Sequence, residues 1–268
     1  MSSTFGELRH EPTPKRIRAA LGDQPVVESS RALLVWEPRR VVPTYAVPVD
    51  DVRGKLEPDT RPPEQSDSPV LHPGIPFGVH STEGEALVIR APGDGATAGA
   101  FRPADPELAG YLILDFDGFD TWYEEDEQIL GHPRDPYHRI DVRRSSRSVR
   151  IELEGEVLAD TSRGSLLFET NLPVRFYLPA EDVRPDRRPT EHRTYCPYKG
   201  QASYWSFDVN GRTRTNLAWT YEAPLPDAAQ VTGLIAFWDE VVDVLLDGER
   251  RERPDTPFSR ALAEEFGV

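Results

Sequence analysis

Apolar and charged residues alternate along Val149-Arg150-Ile151-Glu152-Leu153, the period-two pattern of a strand with one covered face. Glu154-Gly155 predicts a hairpin turn, and Glu156-Val157-Leu158-Ala159 returns from it. Leu166 to Glu169 and Val174 to Leu178 predict two more strands, split by the turn-prone Thr170 to Pro173. Pro179 to Arg193 is rich in proline and charge and reads as loop. Ser203 to Val209 and Arg214 to Tyr221 flank Asn210-Gly211, a two-residue turn signal in which both positions tolerate positive φ. Pro226-Asp227 predicts the start of a helix running to about Glu240, followed by a last strand over Val241 to Leu246.

The same pattern occurs earlier in the chain. At an offset of 132 residues, Arg18, Leu21, Ser30, Arg31, Leu34, Glu37, Val42 and Tyr45 recur as Arg150, Leu153, Ser162, Arg163, Leu166, Glu169, Val174 and Tyr177. Asp51-Val52-Arg53 then pairs with Asp182-Val183-Arg184, and later Pro133, Pro136, Tyr137 and Arg139 with Pro254, Pro257, Phe258 and Arg260. The drift in offset reads as differences in loop length. The expected fold class is mainly β, β-rich α+β. It consists of two tandem, related antiparallel β-domains, each a small sheet or half-barrel with one short helix. The expected division is an N-terminal tail 1–14, a first domain 15–145, a second domain 146–262 and a C-terminal tail 263–268.

Composition narrows this only slightly. With 26 prolines among 268 residues, long coiled coils are excluded. One cysteine, Cys196, excludes an internal disulfide framework. A formal net charge of −15 argues against general nucleic-acid or membrane-surface binding. No apolar run approaches a membrane span and no signal-type core opens the chain, so the expected location is the cytoplasm.

The densest chemistry is Thr194-Tyr195-Cys196-Pro197-Tyr198-Lys199-Gly200, followed by Ser203-Tyr204-Trp205. Lys199 beside Cys196 favours thiolate, and His192 offers a base. The expected site has Cys196 and Lys199 as reactive groups and Tyr195, Tyr198, Tyr204 and Trp205 as aromatic walls. Tyr177 and His192 are added to it, and Glu169 or Asp182 would orient the lysine. The plainer alternative is a β-turn holding a small buried cysteine and a lysine that reaches to solvent. The first copy has no Cys or Lys there, but ends in His132-Pro133-Arg134-Asp135-Pro136-Tyr137-His138-Arg139. His132, Asp135, Tyr137, His138 and Arg139 are therefore expected to complete a composite site. No metal is assigned, because the histidines lack ligand spacing. Leu112-Ile113-Leu114-Asp115-Phe116-Asp117-Gly118 resembles the nucleophile motif of haloacid-dehalogenase-type phosphatases, but the repeat places it where no parallel α/β core is expected.

The motifs L-F-E-T-N-L-P, R-F-Y-L-P-A-E-D-V, T-Y-C-P-Y-K-G-Q-A-S-Y-W and L-A-W-T-Y-E-A-P-L-P lie between Val149 and Glu249. Together they resemble the family called domain of unknown function 427, and R-A-L-L-V-W-E-P and D-D-V-R extend the resemblance to the first copy. The resemblance implies a compact β-rich fold and carries a nucleotidyltransferase label in some usage. No cofactor follows from it. The leading functional expectation is a small-molecule enzyme or binding protein, with an anionic or aromatic ligand at Tyr195 to Trp205. The alternatives are a non-catalytic interaction module formed by a pseudo-dimer, and nucleotidyl transfer.

Overall fold

Asn210 and Gly211 adopt φ of 49° and 75°, the left-handed pair of a tight hairpin. They join the antiparallel strands Gly200–Val209 and Arg212–Thr220. Glu154 and Gly155, at 51° and 84°, do the same between Val149–Leu153 and Glu156–Thr161. Both hairpins lie where the turn dipeptides predict them. In the computed structural model the described residues are 6–93, 95–256, 259, 260 and 266. They divide into two units, Met1–Pro136 and Tyr137–Val268.

The first unit holds a seven-stranded antiparallel sheet. Its spatial order is Arg9–Pro12, Leu33–Trp36, Thr44–Pro48, Tyr111–Leu114, Thr97–Pro103, Gly84–Arg90 and Lys55–Pro58. A second sheet runs Glu127–Ile129, Thr121–Glu124, Ile17–Leu21 and Gln24–Ser29. Its core includes Ile17, Trp36, Tyr45, Ile89, Leu112 and Leu114.

The second unit runs through its elements in the same chain order. Ile140–Arg144, Ser165–Glu169 and Arg175–Tyr177 form one ladder. Leu178 and Ile235 exchange both backbone hydrogen bonds, at 2.8 and 2.9 Å. That bridge joins the ladder to Ile235–Phe237, Arg212–Thr220, Gly200–Val209 and Arg188–Cys196. A four-stranded sheet of Glu156–Thr161, Val149–Leu153, Asp243–Leu246 and Glu249–Arg250 packs through Ile151, Leu153, Phe207, Phe237 and Val244. The other face of the larger assembly carries Leu167, Tyr177, Ala202, Tyr204, Trp219 and Tyr221.

One local device recurs in both units. Asp51 accepts hydrogen bonds from Ser29 and Arg31, each at 2.6 Å, and Asp182 accepts from Thr161 at 2.5 Å and Arg163 at 2.7 Å. In each case a short 3₁₀ turn, Val49–Asp51 or Ala180–Asp182, presents the carboxylate.

Four expectations need correction. The division lies earlier than residue 145, because Ile140–Arg144 pairs with Ser165–Glu169 of the second unit. The segment 1–14 is not all tail, since Arg9–Pro12 pairs with Leu33–Trp36. Pro179 to Arg193 is not all loop: Arg188–Cys196 is an edge strand with mostly exposed side chains, so its alternation is lost among charges. The predicted helix is a six-residue 3₁₀ segment, Pro226–Val231, after which Gly233 turns at φ 70° into strand Ile235–Phe237. Pro257, Phe258 and most of the expected tail 263–268 lie outside the described residues.

Candidate functional site in the second unit

Strand pleating decides which residues meet. On Ser165–Glu169 the residues Ser165, Leu167 and Glu169 share one face. Opposite them, Tyr177 sits across from Ser165, and Ile140 across from Glu169. Tyr204 pairs with Trp219 on the same side, where both join the cluster of Leu167 and Tyr177. Trp205, the next residue along, belongs to the other face. There it packs against the core of the smaller sheet, with the Arg187 guanidinium 5.1 Å above its ring. Trp205 is thus separated from the other aromatic residues expected at the site.

Cys196 pairs with Gly200, so Pro197-Tyr198-Lys199 is the loop of a hairpin. Gly200 adopts φ 92°, and a Cβ there would stand 3.3 Å from the backbone N of Leu225. That loop turns Lys199 inward, leaving its side chain only 11% exposed. Its Nζ donates to both oxygens of Glu169, each at 2.5 Å. His138 Nε2 approaches Glu169 Oε1 at 3.0 Å, and its ring stacks on Tyr198 with centroids 3.9 Å apart. Burial works to raise the Glu169 pKa, but His138 and Lys199 outweigh it and hold the carboxyl below its ordinary value.

Tyr177 lies beneath this group and accepts a hydrogen bond from Trp219 Nε1 at 3.2 Å. Burial raises its pKa, and nearby Glu169 and Cys196 add to the rise. Tyr221 is raised by burial and by Tyr177, Cys196 and Glu169. These four side chains therefore share one electrostatic neighbourhood. Arg175 extends it, reaching Glu240 with two nitrogens at 2.7 and 2.6 Å. Its guanidinium stands 5.7 and 5.8 Å from the ring centroids of Trp219 and Trp238. Asp239 is 4.0 Å from Arg175, and burial pushes its carboxyl up to about 7.

The remaining expected residues are placed as follows. Asp182 serves the 3₁₀ turn and its Thr161 and Arg163 partners, so it does not orient Lys199. His192 lies on the exposed edge strand against Tyr204, with ring centroids 4.6 Å apart. Tyr204 shares a 2.8 Å hydroxyl contact with Thr194. Tyr195 and Tyr137 are exposed. Arg139 pairs with Asp141 at 2.8 Å. His132 and Asp135 belong to the first unit, where His132 Nδ1 meets Pro133 O and Asp135 accepts from Trp36 Nε1. Tyr137, His138 and Arg139 belong to the second unit, so the expected composite segment is divided between the two. Of the two carboxylates expected to orient Lys199, Glu169 is the one that holds its ammonium.

Arg175, Glu240 and Asp239 were not among the expected residues. Their signal was faint: charged residues standing within apolar runs at Val174 to Leu178 and Ile235 to Val242. In the first unit, Glu37, which lies 132 residues before Glu169, is also buried. It meets His80 at 3.0 Å, Thr82 at 3.0 Å and Arg40 at 3.4 Å. His80 stacks on Phe101 at 3.7 Å. Glu37 is 0% exposed at its side chain and His80 9%, against 15% for His138. The second unit's imidazole is the more accessible of the two.

Among the described residues no group of three or more His, Cys, Asp or Glu is placed to hold a metal ion. No helix among them is long and apolar enough to cross a membrane. No curated protein matches the chain. Residues 141–248, which contain Glu169, Cys196, Lys199 and Glu240, match the model of the family described as domain of unknown function (DUF427).

Proposed function

We propose that the second unit binds a small polar molecule at Glu169, His138 and Lys199, and that His138 exchanges a proton with it. The observation carrying this reading is a buried carboxylate held between an ammonium and an imidazole that remains partly open to solvent. Glu169 fixes His138 through Nε2, which leaves Nδ1 as the edge able to accept or donate a proton. A carboxylate that orients an imidazole in this way is a recurring arrangement for general acid–base work. Lys199 keeps Glu169 ionised, so it acts as a positioning residue. Tyr198 supports the imidazole from one face. Cys196 adds a thiol to the same neighbourhood.

The first unit is read as a second, diverged copy of the same domain. The matching order of strands and the paired Asp51 and Asp182 turns support that reading. Its Glu37 pair is more deeply enclosed, which favours a structural role there.

A thermal-shift screen of polar metabolites, with Mg–ATP included, tests the site. Hits should lose their shift in His138→Ala and keep it in Arg139→Ala. Absence of any hit, or hits indifferent to His138→Ala, would overturn the reading. Mg–ATP as the sole hit would favour nucleotidyl transfer instead.

A further inference from the structure

The seven-stranded sheet of the first unit has an outer face whose residues form two short rows. Glu57, Val88 and Gly99 stand side by side on three neighbouring strands, and Lys55, Arg90 and Thr97 form the next row. Their neighbours Leu87, Ile89, Ala98 and Ala100 point the other way into the core. Beyond the outer rows lies a cavity of about 550 Å³, lined also by Asp59, Arg61, Asp115 and Gly118.

Two of its three carboxylates are already matched. Arg90 donates to Glu57 at 2.9 and 3.1 Å, and Lys55 lies 3.0 Å from the same carboxylate. Arg61 grips both oxygens of Asp59 at 2.7 to 3.0 Å. Asp115 makes no ion pair among the described residues. Two glycines make room for its carboxylate: a Cβ on Gly118 would stand 2.8 Å from Asp115 Oδ2, and one on Gly99 3.2 Å from it. Neither glycine has the positive φ that would require glycine for conformation alone, so space is the reason for their smallness.

We propose that this cavity is a separate binding site for a small organic cation, with Asp115 accepting hydrogen bonds from its ammonium or guanidinium group. Of the three lining carboxylates, Asp115 is the one without an ion pair among the described residues, and it is the one the glycines accommodate. A divalent metal fits less well. It needs several oxygen ligands converging on one point, and Glu57 and Asp59 are turned to their arginines. The cavity is also far larger than a single ion. Burial and the nearby Asp117 raise the Asp115 pKa, and they outweigh the backbone hydrogen bonds from Gly118 and Asp117 and the more distant charge of Arg61. In the second unit Trp238 follows strand Ile235–Phe237 where Asp115 follows Tyr111–Leu114, so the repeat does not duplicate this site.

Titration calorimetry of the full chain with agmatine, which carries both an ammonium and a guanidinium, tests the proposal. Saturable binding is expected at low ionic strength, weakened at least tenfold by Asp115→Asn. Gly118→Ala keeps every charge but displaces the Asp115 carboxylate, and should weaken binding by a similar factor. It also serves as the test if Asp115→Asn fails to fold. Glu85→Gln removes an exposed carboxylate outside the cavity and should leave affinity unchanged. No binding up to millimolar agmatine, equal weakening by Glu85→Gln, or Asp115-dependent binding of Mg²⁺ without binding of agmatine would overturn it.

Discussion

Lys199 places its ammonium 2.5 Å from each oxygen of Glu169, and both side chains are nearly closed to solvent. Removing one member of such a pair leaves a buried charge without its main partner, at a cost of about 3–5 kcal/mol. Lys199→Met and Glu169→Gln should each destabilise the chain. The double variant should recover most of the larger loss, since no uncompensated ion remains. Urea unfolding of the three variants checks this. Strictly additive losses would show that the pair is not coupled.

The depressed Glu169 pKa has a definite consequence for acid stability. The folded carboxyl titrates below its unfolded value of 4.5, so its contribution is fully present above that value. It should be lost as the pH falls through the lower folded pKa. Glu169→Gln should flatten this acid limb in melting curves taken between neutral pH and pH about 3.

Asp239 works in the opposite sense. Burial raises its folded pKa to about 7 from an unfolded 3.8, so between these values the native state holds more protons. Its effect on stability should worsen as the pH rises from about 4 to about 7, then level off. Asp239→Asn should be the more stable form above neutrality and should lack this slope. An unchanged slope in Asp239→Asn would contradict the assignment.

At the Asn210-Gly211 hairpin both residues are left-handed. A side chain with a Cβ is disfavoured there by about 1–2 kcal/mol, so Gly211→Ala should lower the urea midpoint by a corresponding amount with an unchanged slope. No fall in the midpoint would show that the turn relaxes to another geometry.

How far the sequence was legible depended on whether a pattern was local. The two hairpins at Glu154-Gly155 and Asn210-Gly211 are written in adjacent residues, and both appear in place. The strands around Leu153, Leu167 and Tyr177 follow from alternation against a single core. The exposed edge strand Arg188–Cys196 carries no strand alternation in its sequence, because neither of its faces meets a core. The segment after Pro226 has helical start signals, but pairing of Ile235 with Leu178 ends it after six residues. At the site, Cys196, Lys199, Tyr198, Glu169 and His138 are all candidates from sequence alone, since chemistry-bearing residues crowd those motifs. Sequence leaves Glu169 and Asp182 as alternative partners of Lys199, and the choice of Glu169 rests on a contact between positions 30 residues apart. Arg175 and Glu240 meet across 65 positions, and the Asp115 cavity needs three strands in register. Neither leaves a local trace.

The proposed ligand site rests on Glu169, His138 and Lys199 acting together. Its most direct measurement is the calorimetric affinity of the best metabolite hit for the wild-type chain, His138→Ala and Glu169→Gln, with folding of each variant checked by melting. At least tenfold weaker binding is expected in both variants, with no change in Arg139→Ala. Equal affinity in wild type, His138→Ala and Glu169→Gln would contradict it.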